Sequence, residues 1–292
     1  VKRLPLTEFI GQAVAVHPGF INIRLSESWL AEQVETVLAE GDAFGQVSLG
    51  SDTRVQVEFI SANPTGPLVV GSGRNAVLGD TLANVLEAAG YTVQREYYVN
   101  DVGTQVDNLG KAMFARYAQA LGANEPEPEE YQGEYLVELG RQAAEALGDQ
   151  YLHVGRDEAL TVMRQYALAG MLASLKEDTA LIGVYFDRWF SEQSLYDDGT
   201  YGVAFNKLGA KNMTVERDGA VWLKSDDEDD KENVIVRSDG RPTYFASDIA
   251  YVWDKLAKRK FDWVIYVWGA DHHGHVKRVK NVARALGLDD SK

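Results

Sequence analysis

The stretch "NPTGPLVVGSGRNAVLGD" contains the first residues with a spacing suited to chemistry. Gly71 and Gly73 lie in it and Arg74 follows, between a strand-like run and a helix-like run. Glycines in such a place let a ligand approach the backbone, and N–H groups at the start of a helix bind phosphate. The spacing matches neither the P-loop nor GxGxxG, so on pattern alone a tight strand–helix turn explains the glycines equally well.

A second candidate site is the pair Tyr244 and Asp248, in "TYFASDIAY". Residues four apart share one face of a helix. The carboxylate would supply a charge and a bidentate acceptor for a guanidinium, and the phenol a flat wall and a hydroxyl. The pair therefore predicts a cation pocket, although an exposed aspartate in an ordinary first helical turn gives the same pattern.

A third cluster, Asp271, His272, His273 and His275, follows the apolar run "WVIYVW". Open α/β sheets bind ligands at the carboxyl ends of such strands. Imidazoles there could contact a nucleotide, and a carboxylate with imidazoles is also a metal-ligand set. Neighbouring histidines point in different directions on a strand or a helix, so they converge on one ion only in an irregular turn. We therefore favour a nucleotide contact and expect no metal.

The elements that must position these residues alternate between strand and helix. Strands are predicted at 54–62 and 91–101 with a helix at 74–90 between them, a unit that implies a parallel sheet. Residues 105–183 have helical periodicity without a strand signal. A strand at 184–196, a hairpin, the Tyr244 helix and a last strand and helix complete the α/β pattern. Residues 1–50 hold a strand at 20–25 and a helix ending at Gly41, and look like the tail of another domain.

The amino-acid composition excludes several classes of site and protein. The 292 residues include no cysteine, which excludes disulfides, thiolate zinc sites and cysteine nucleophiles and favours the cytoplasm. There is no apolar run long enough for a membrane helix and no signal peptide at the start. The formal net charge of −15 argues against a protein that grips nucleic acid over its whole surface. Acidic runs at 125–130 and 226–232 are typical of solvated loops.

The chain resembles the catalytic domain of the class I arginyl-tRNA synthetases over nearly its whole length. Four segments carry the resemblance in the same order: "VEFISANPTGPL", "GRNAVLGDTLANVLEAAGYTVQREYYVNDVGTQ", "RSDGRPTYFASDIAY" and "WGADHHGHVKR". The resemblance implies a Rossmann-like parallel sheet in residues 51–292, a helical insertion at about 105–183, and a remnant of an N-terminal domain in 1–50. It also implies a cytoplasmic, monomeric enzyme that uses ATP with Mg²⁺ to make arginyl-adenylate and transfers arginine to tRNA(Arg).

The resemblance also implies roles for individual residues. The positions that match the arginine site are Glu58, Ser61, Asn63, Tyr244, Asp248 and Asp271. The positions that match the ATP site are Gly71, Ser72, Gly73 and His272. The role of Tyr244 and Asp248 in gripping the substrate guanidinium agrees with the cation pocket inferred from their spacing.

Two departures from the family bear on activity. The HIGH signature of the family places histidines where this chain has Val69 and Ser72. Loss of one such preorganised donor typically costs ~10²–10³ in rate. With both histidines absent, Ser72 and Arg74 are the catalytic candidates that remain. The lysine-rich KMSKS loop and the anticodon-binding domain are also missing, because the chain stops at "LDDSK". We therefore expect a fragment that binds arginine and ATP but aminoacylates tRNA poorly.

Three alternatives stay open on the sequence. The chain could be a non-catalytic, synthetase-like protein that binds arginine or tRNA. It could be a metal-dependent enzyme that uses Asp271 and the neighbouring histidines. It could also be an unrelated α/β nucleotide-binding module, which the four ordered segments disfavour.

Overall fold

A computed structural model describes residues 1, 3–5, 7–224 and 233–292 of the chain. The acidic run at 226–232 lies outside the described residues. The chain divides into two compact units, one of residues 1–49 with 88–90 and one of residues 50–87 with 91–292. None of the helices in the described ranges is long and apolar enough to cross a membrane.

The secondary structure alternates as the sequence predicts. The strands are β1 (Ile10–Val16), β2 (Phe20–Leu25), β3 (Arg54–Glu58), β4 (Thr92–Val99), β5 (Arg188–Ser191), β6 (Thr214–Arg217), β7 (Ala220–Leu223), β8 (Asn233–Val236) and β9 (Trp263–Tyr266). The α-helices are α1 (Glu27–Glu40), α2 (Val70–Ala88), α3 (Thr104–Ala120), α4 (Glu134–Leu147), α5 (Arg156–Leu181), α6 (Ser194–Asp197), α7 (Thr200–Ala210), α8 (Tyr244–Trp253) and α9 (His273–Leu286).

The smaller unit consists of an antiparallel hairpin and one helix. β1 pairs with β2, and α1 follows directly. Ser26 caps α1, because its hydroxyl accepts a hydrogen bond from the Trp29 N–H at 3.2 Å. Gly41, with φ of 54°, ends the helix. The predicted strand at 20–25 and the helix end at Gly41 are both confirmed.

A parallel sheet with the strand order β5-β4-β3-β9 is the centre of the larger unit. Val55 and Val57 on β3 are completely buried, as expected for a central strand covered on both faces. Helix α2 connects β3 to β4, so the predicted strand–helix–strand unit and the α/β class are confirmed. An antiparallel sheet of β6, β7 and β8 includes the predicted hairpin.

Two predicted strands end earlier than their apolar patterns suggest. The strand predicted at 54–62 stops at Glu58, because Ile60 and Ser61 have positive φ values of 63° and 44° and leave the sheet. The strand predicted at 184–196 is limited to β5, and the short helix α6 follows it. In both places a turn at the carboxyl edge of the sheet replaces the predicted extension.

Helix α2 begins earlier than predicted. Gly71 and Gly73 lie in its first turn rather than in a preceding loop, and the Gly73 N–H donates a helical hydrogen bond to Val69 O at 3.2 Å. Further along, Gly79 packs against Phe59, the residue directly after β3, and a Cβ on Gly79 would lie 2.2 Å from the Phe59 ring. The two parts of the helix therefore use glycine for different reasons, close packing at Gly79 and open space at Gly73.

The helices α3, α4 and α5 occupy the range in which no strand was predicted. They form their own apolar cluster, which includes Met113, Tyr117, Leu136 and Met163. A second cluster surrounds α8 and includes Phe245, Ile249 and Val282 of α9. This second cluster fixes α8 and α9 beside the sheet, where their polar side chains can reach the ends of its strands.

Candidate functional site

A cavity of about 190 Å³ lies at the carboxyl edge of the parallel sheet. It lies where β3 and β9 end and where α8 and α9 pass them. The polar or aromatic residues that line it include Glu58, Ser61, Tyr98, Asp248, Tyr266 and His272. Three residues that the sequence assigns to an arginine site, Glu58, Ser61 and Asp248, are thus brought together from separate parts of the chain.

Glu58 and Ser61 are held in a tight turn at the end of β3. The Ser61 hydroxyl donates to Glu58 Oε1 at 3.3 Å and accepts from the Tyr98 N–H at 3.1 Å. The preceding residue, Ile60, has φ of 63°, which is a rare conformation for a β-branched side chain. Such strain costs on the order of 1–3 kcal/mol and persists where the surroundings hold it, often at functional sites.

Asn75 holds this turn from the second turn of α2. Its Oδ1 accepts from the Ile60 N–H at 2.6 Å, and its Nδ2 donates to Val267 O at 2.7 Å. One side chain therefore ties the start of α2 to the segments that follow both β3 and β9. The sequence offers no local signal for this contact, because the Asn75–Val267 bond spans 192 residues.

Asp248 projects from α8, one turn after Tyr244, so the helix predicted for this pair is confirmed. Desolvation raises the pKa of the Asp248 carboxyl to about 6, with the charge of Glu58 adding to the rise and Arg278 opposing it. The guanidinium of Arg278 lies 3.6 Å from Asp248 Oδ2. The side chain of Asp248 is still 46% exposed, so a ligand in the cavity can reach it.

Tyr244 lies in a neighbouring cavity rather than beside Asp248. This second cavity, of about 370 Å³, is lined by Tyr244, Gly103, Glu192 and Ser247 among others. The shared helix therefore does not bring the phenol and the carboxylate to the same opening. Asn63 is also outside the first cavity and donates to Gln105 Oε1 at 2.7 Å on the exposed surface.

Glu192 is a buried carboxyl that the sequence analysis missed. It is only 2% exposed, and desolvation raises its pKa to about 7. Hydrogen bonds with Ser247 and Tyr98 oppose this rise, and the charges of Asp248 and Asp101 add to it. Its position directly after β5, at the carboxyl edge of the sheet, is the signal that could have identified it.

The first turn of α2 is open and has few polar side chains. Val69 is 69% exposed and Val70 is 85% exposed. A Cβ on Gly73 would meet no atom within 4 Å, and its φ lies outside the range that favours glycine. Neither packing nor backbone conformation requires this glycine, so it leaves the helix start accessible to a ligand. Ser72 is half-buried and Arg74 is exposed in the same turn.

His272 lies in a short 3₁₀ turn, Ala270–His272, directly before α9. Its Nδ1 is 3.4 Å from Nδ1 of His275, and both rings lie 6.0 Å from the Trp268 ring. The side chains of Asp271 and His273 are outside what the structure describes. Among the side chains it does describe, no three His, Asp or Glu residues group as metal ligands would.

Comparison with known proteins gives one family. Residues 33–292 match the family described as tRNA synthetases class I (R), catalytic domain. The chain is 47% identical over 285 residues to an arginine--tRNA ligase of Dehalococcoides mccartyi, covering 97% of this chain and 51% of that protein. It is 44% identical to an arginine--tRNA ligase of Caldanaerobacter subterraneus, again covering 97% and 51%. The chain thus spans about half the length of the curated relatives it matches.

Solved structures agree with these sequence matches. A crystal structure from Campylobacter jejuni described as an arginyl-tRNA synthetase has a TM-score of 0.83 at 35% identity, covering 91% of this chain and 59% of that one. The arginyl-tRNA synthetase of Thermus thermophilus has a TM-score of 0.66 at 22% identity, covering 98% and 53%, and supports the fold alone. The chain therefore belongs to the catalytic-domain family of the class I arginyl-tRNA synthetases.

Proposed function

We propose that this chain is the arginine-activating part of an arginyl-tRNA synthetase. It would convert arginine and ATP to arginyl-adenylate and pyrophosphate, after which the arginyl group passes to tRNA(Arg). The observation that carries the proposal is the meeting of Glu58 and Asp248 at one cavity, in a chain that belongs to this family. Two carboxylates at the carboxyl edge of a parallel sheet suit a small cationic substrate.

Asp248 is the acceptor for the substrate guanidinium in this proposal. The guanidinium of Arg278 already lies 3.6 Å from it, so the space around this carboxylate admits a planar cation. Substrate arginine would compete with Arg278 or bind beside it. Glu58 and Ser61 would accept and donate hydrogen bonds at the opposite wall of the cavity, with Asn63, Tyr244 and Asp271 as outer contacts.

The first turn of α2 is the proposed contact for the ATP phosphates, and Mg²⁺ would arrive with them as part of the substrate. The N–H groups of a first helical turn lack helical partners and favour anions. Open space at Gly73 supports such an approach, with Gly71 beside it. His272, which lines the neighbouring cavity, would contact the nucleotide from there.

In the activation step, a carboxylate oxygen of arginine attacks the α-phosphorus. A new O–P bond forms, the bond to the bridging oxygen breaks, and pyrophosphate leaves with that electron pair. Backbone N–H groups, the Ser72 hydroxyl and Arg74 would stabilise the extra charge on the phosphate oxygens. A neutral hydroxyl is a weaker donor than an imidazole at such a site, so we expect this step to be slow.

We assign residues 51–292 to the catalytic domain, with α3, α4 and α5 as the insertion at about 105–183, and residues 1–50 to part of an N-terminal domain. We also propose that it is a monomer that works in the cytoplasm, and the zero cysteine count favours that location.

Arginine-dependent exchange of pyrophosphate into ATP tests the proposed reaction. It should be measured on this chain and on a version extended past Lys292, with lysine in place of arginine as the control. We expect exchange with arginine in the extended version and little in the chain alone. Arginine binding without exchange in the extended version would favour the non-catalytic alternative.

A further inference from the structure

Lys255 is a completely buried lysine next to the cavity of Glu58, Ser61 and Asp248, which we call the arginine cavity. It lies in a π-helical turn, Asp254–Lys258, which directly follows α8. Its Nζ donates to Glu58 Oε2 and lies 3.9 Å and 3.8 Å from the ring centroids of Tyr251 and Tyr266. Single π-helical turns within helices are rare and occur frequently at functional sites.

A buried ammonium needs a partner. Removal from water costs several kcal/mol per ion unless a counter-charge offsets it. Desolvation lowers the pKa of Lys255, while the charges of Glu58 and Glu96 oppose the shift and Arg259 adds to it. The charged form of Lys255 is therefore stabilised by these two carboxylates.

The charged and titratable groups around Lys255 come from every neighbouring element. Glu58 is on β3, Glu96 on β4, Tyr266 on β9 and Tyr251 on α8. Glu96 has other partners, because it accepts hydrogen bonds from Arg259 at 2.9 Å and from the Tyr251 hydroxyl.

Glu58 is in a different position from Glu96. Lys255 is its one cationic partner in the part of the chain that the structure describes. Both carboxylates interact with Lys255, but Glu96 keeps Arg259 as a cationic partner if the lysine is removed. Glu58 is therefore the carboxylate that depends on Lys255.

The two oxygens of Glu58 have different partners. Oε2 accepts from Lys255, and Oε1 accepts from the Ser61 hydroxyl, which itself lines the cavity. We propose that Lys255 is a positioning residue of the arginine pocket, which keeps Glu58 ionised and directs its Oε1 to the substrate side. This inference rests on the proposed function, because it takes the cavity to be the arginine site.

Removal of the Lys255 ammonium should change the pH dependence of arginine binding. Removal of a lysine with only a structural role would leave that pH dependence unchanged. In Lys255→Met, the carboxyl of Glu58 is buried without a counter-charge and takes up a proton at a higher pH than a paired one. Arginine binding then has to expel that proton. Affinity should fall roughly tenfold for each pH unit below the point of proton uptake and recover above it.

The binding experiment is isothermal titration of arginine at pH 6.5 and 8.5 in buffers of different ionisation enthalpy, which counts the protons released. The variants are Lys255→Met, the charge-keeping Lys255→Arg, and Lys255→Met combined with Glu58→Gln. We expect Lys255→Met to release up to one proton more than the wild type, and the other two variants to release no more than the wild type. Equal proton release in Lys255→Met and the wild type would overturn the proposal.

A second measurement needs no arginine and so separates this inference from the proposed function. A carboxyl protonated in the folded state stabilises below its unfolded pKa, and this stability is lost as pH rises through its folded pKa. The melting temperature of Lys255→Met should therefore fall between pH 6 and 8.5 relative to the double variant. Parallel profiles would contradict the proposal, whereas a wild type that melts normally but binds no arginine would contradict only the proposed function. A Lys255→Met chain that folds only when Glu58→Gln is added would support the dependence of Glu58 on Lys255.

Discussion

The arginine cavity and the first turn of α2 lie at the same edge of one sheet but are built differently. In the cavity, side chains from different elements hold one another, as Glu58 does with Ser61 and Lys255. In the first turn of α2, exposed Val70 and open space at Gly73 leave the backbone as the main source of hydrogen bonds. Under the proposed function, recognition of the amino acid would depend on side-chain charge, and contact with phosphate on the backbone of the helix start.

The difference follows from the chemistry of the two ligands. A guanidinium is a fixed cation, and an anionic acceptor is needed to distinguish it from a neutral analogue. Phosphate oxygens can be bound by backbone N–H groups, which every residue except proline supplies. Imidazoles at the positions of Val69 and Ser72 would then add rate more than affinity, so substitutions there should affect the two regions unequally.

The largest expected effect comes from introducing imidazoles at the start of α2. The double substitution Val69→His with Ser72→His should raise arginine-dependent pyrophosphate exchange by ~10²–10³, the usual value of preorganised donors at a reacting phosphate. Arginine affinity should not change. Val70→His, on the adjacent and more exposed residue, is the control. An unchanged rate in the double variant would show that backbone donors already suffice, and the contrast between the two regions would fail.

Removal of the cavity charge should have the next largest effect. Asp248→Asn should weaken arginine binding roughly 10- to 100-fold, because a hydrogen bond to a charged group contributes about 1.5–3 kcal/mol. ATP affinity should stay the same, which calorimetry with each ligand can check. Asp52→Asn is a suitable control, since Asp52 is exposed with φ of 65°, a conformation that asparagine also adopts. Equal losses for both ligands would mean that the two regions are not independent.

The pH dependence of arginine binding should be smaller. The pKa values of Asp248 and Glu192 are raised to about 6 and about 7, and both carboxyls must be ionised to attract the cation best. Affinity should therefore rise on the order of tenfold between pH 5.5 and 7.5. The ligand-free protein should lose stability over the same window, because raised folded pKa values stabilise only at low pH. Glu192 lies in the neighbouring cavity but interacts with the charge of Asp248. Glu192→Gln should therefore flatten the upper half of the affinity profile, and an unaltered profile would show that Glu192 does not influence arginine binding.

A pair of glycine substitutions gives the smallest effect and compares both uses of glycine in α2. Gly73→Ala should weaken ATP binding a few-fold by crowding the phosphates, while helix propensity changes stability by no more than about 0.5–1 kcal/mol. Gly79→Ala should instead destabilise by about 1–3 kcal/mol, because its Cβ collides with Phe59. Thermal melts and ATP titrations of both variants separate the effects. Normal ATP binding by Gly73→Ala would argue against phosphate contact at this turn.

Much of the fold could be predicted because it depends on local pattern. Alternating and helical periodicities gave the α/β class, the parallel unit around α2 and the helix that begins at Tyr244. The ends of the strands could not be found this way. The break after Glu58 depends on Ile60, whose positive φ is held by Asn75 through a hydrogen bond at 2.6 Å. An apolar residue in an apolar run gives no sign of such a turn.

The place of Asp248 on α8 could be predicted, because helical periodicity and the family resemblance both point to this segment. Lys255 was missed because its partner Glu58 is 197 residues away and its surroundings resemble an ordinary charged helix end. The spacing of Tyr244 and Asp248 predicts one shared opening, but the two side chains line different cavities. Spacing describes a single helix and not the elements that pack beside it. The roles of the site residues stay predictions until they are tested by binding.

Titration of the chain with arginine and with citrulline tests the central claim most directly. Citrulline has nearly the shape of arginine but no positive charge on its side chain. Only a pocket with an anionic group for the guanidinium therefore binds arginine more tightly than citrulline. We expect arginine to bind and citrulline to bind at least roughly tenfold more weakly, the ratio that a charged hydrogen bond of about 1.5 kcal/mol provides. Equal affinities would contradict the assignment of Asp248 as the acceptor for the substrate guanidinium.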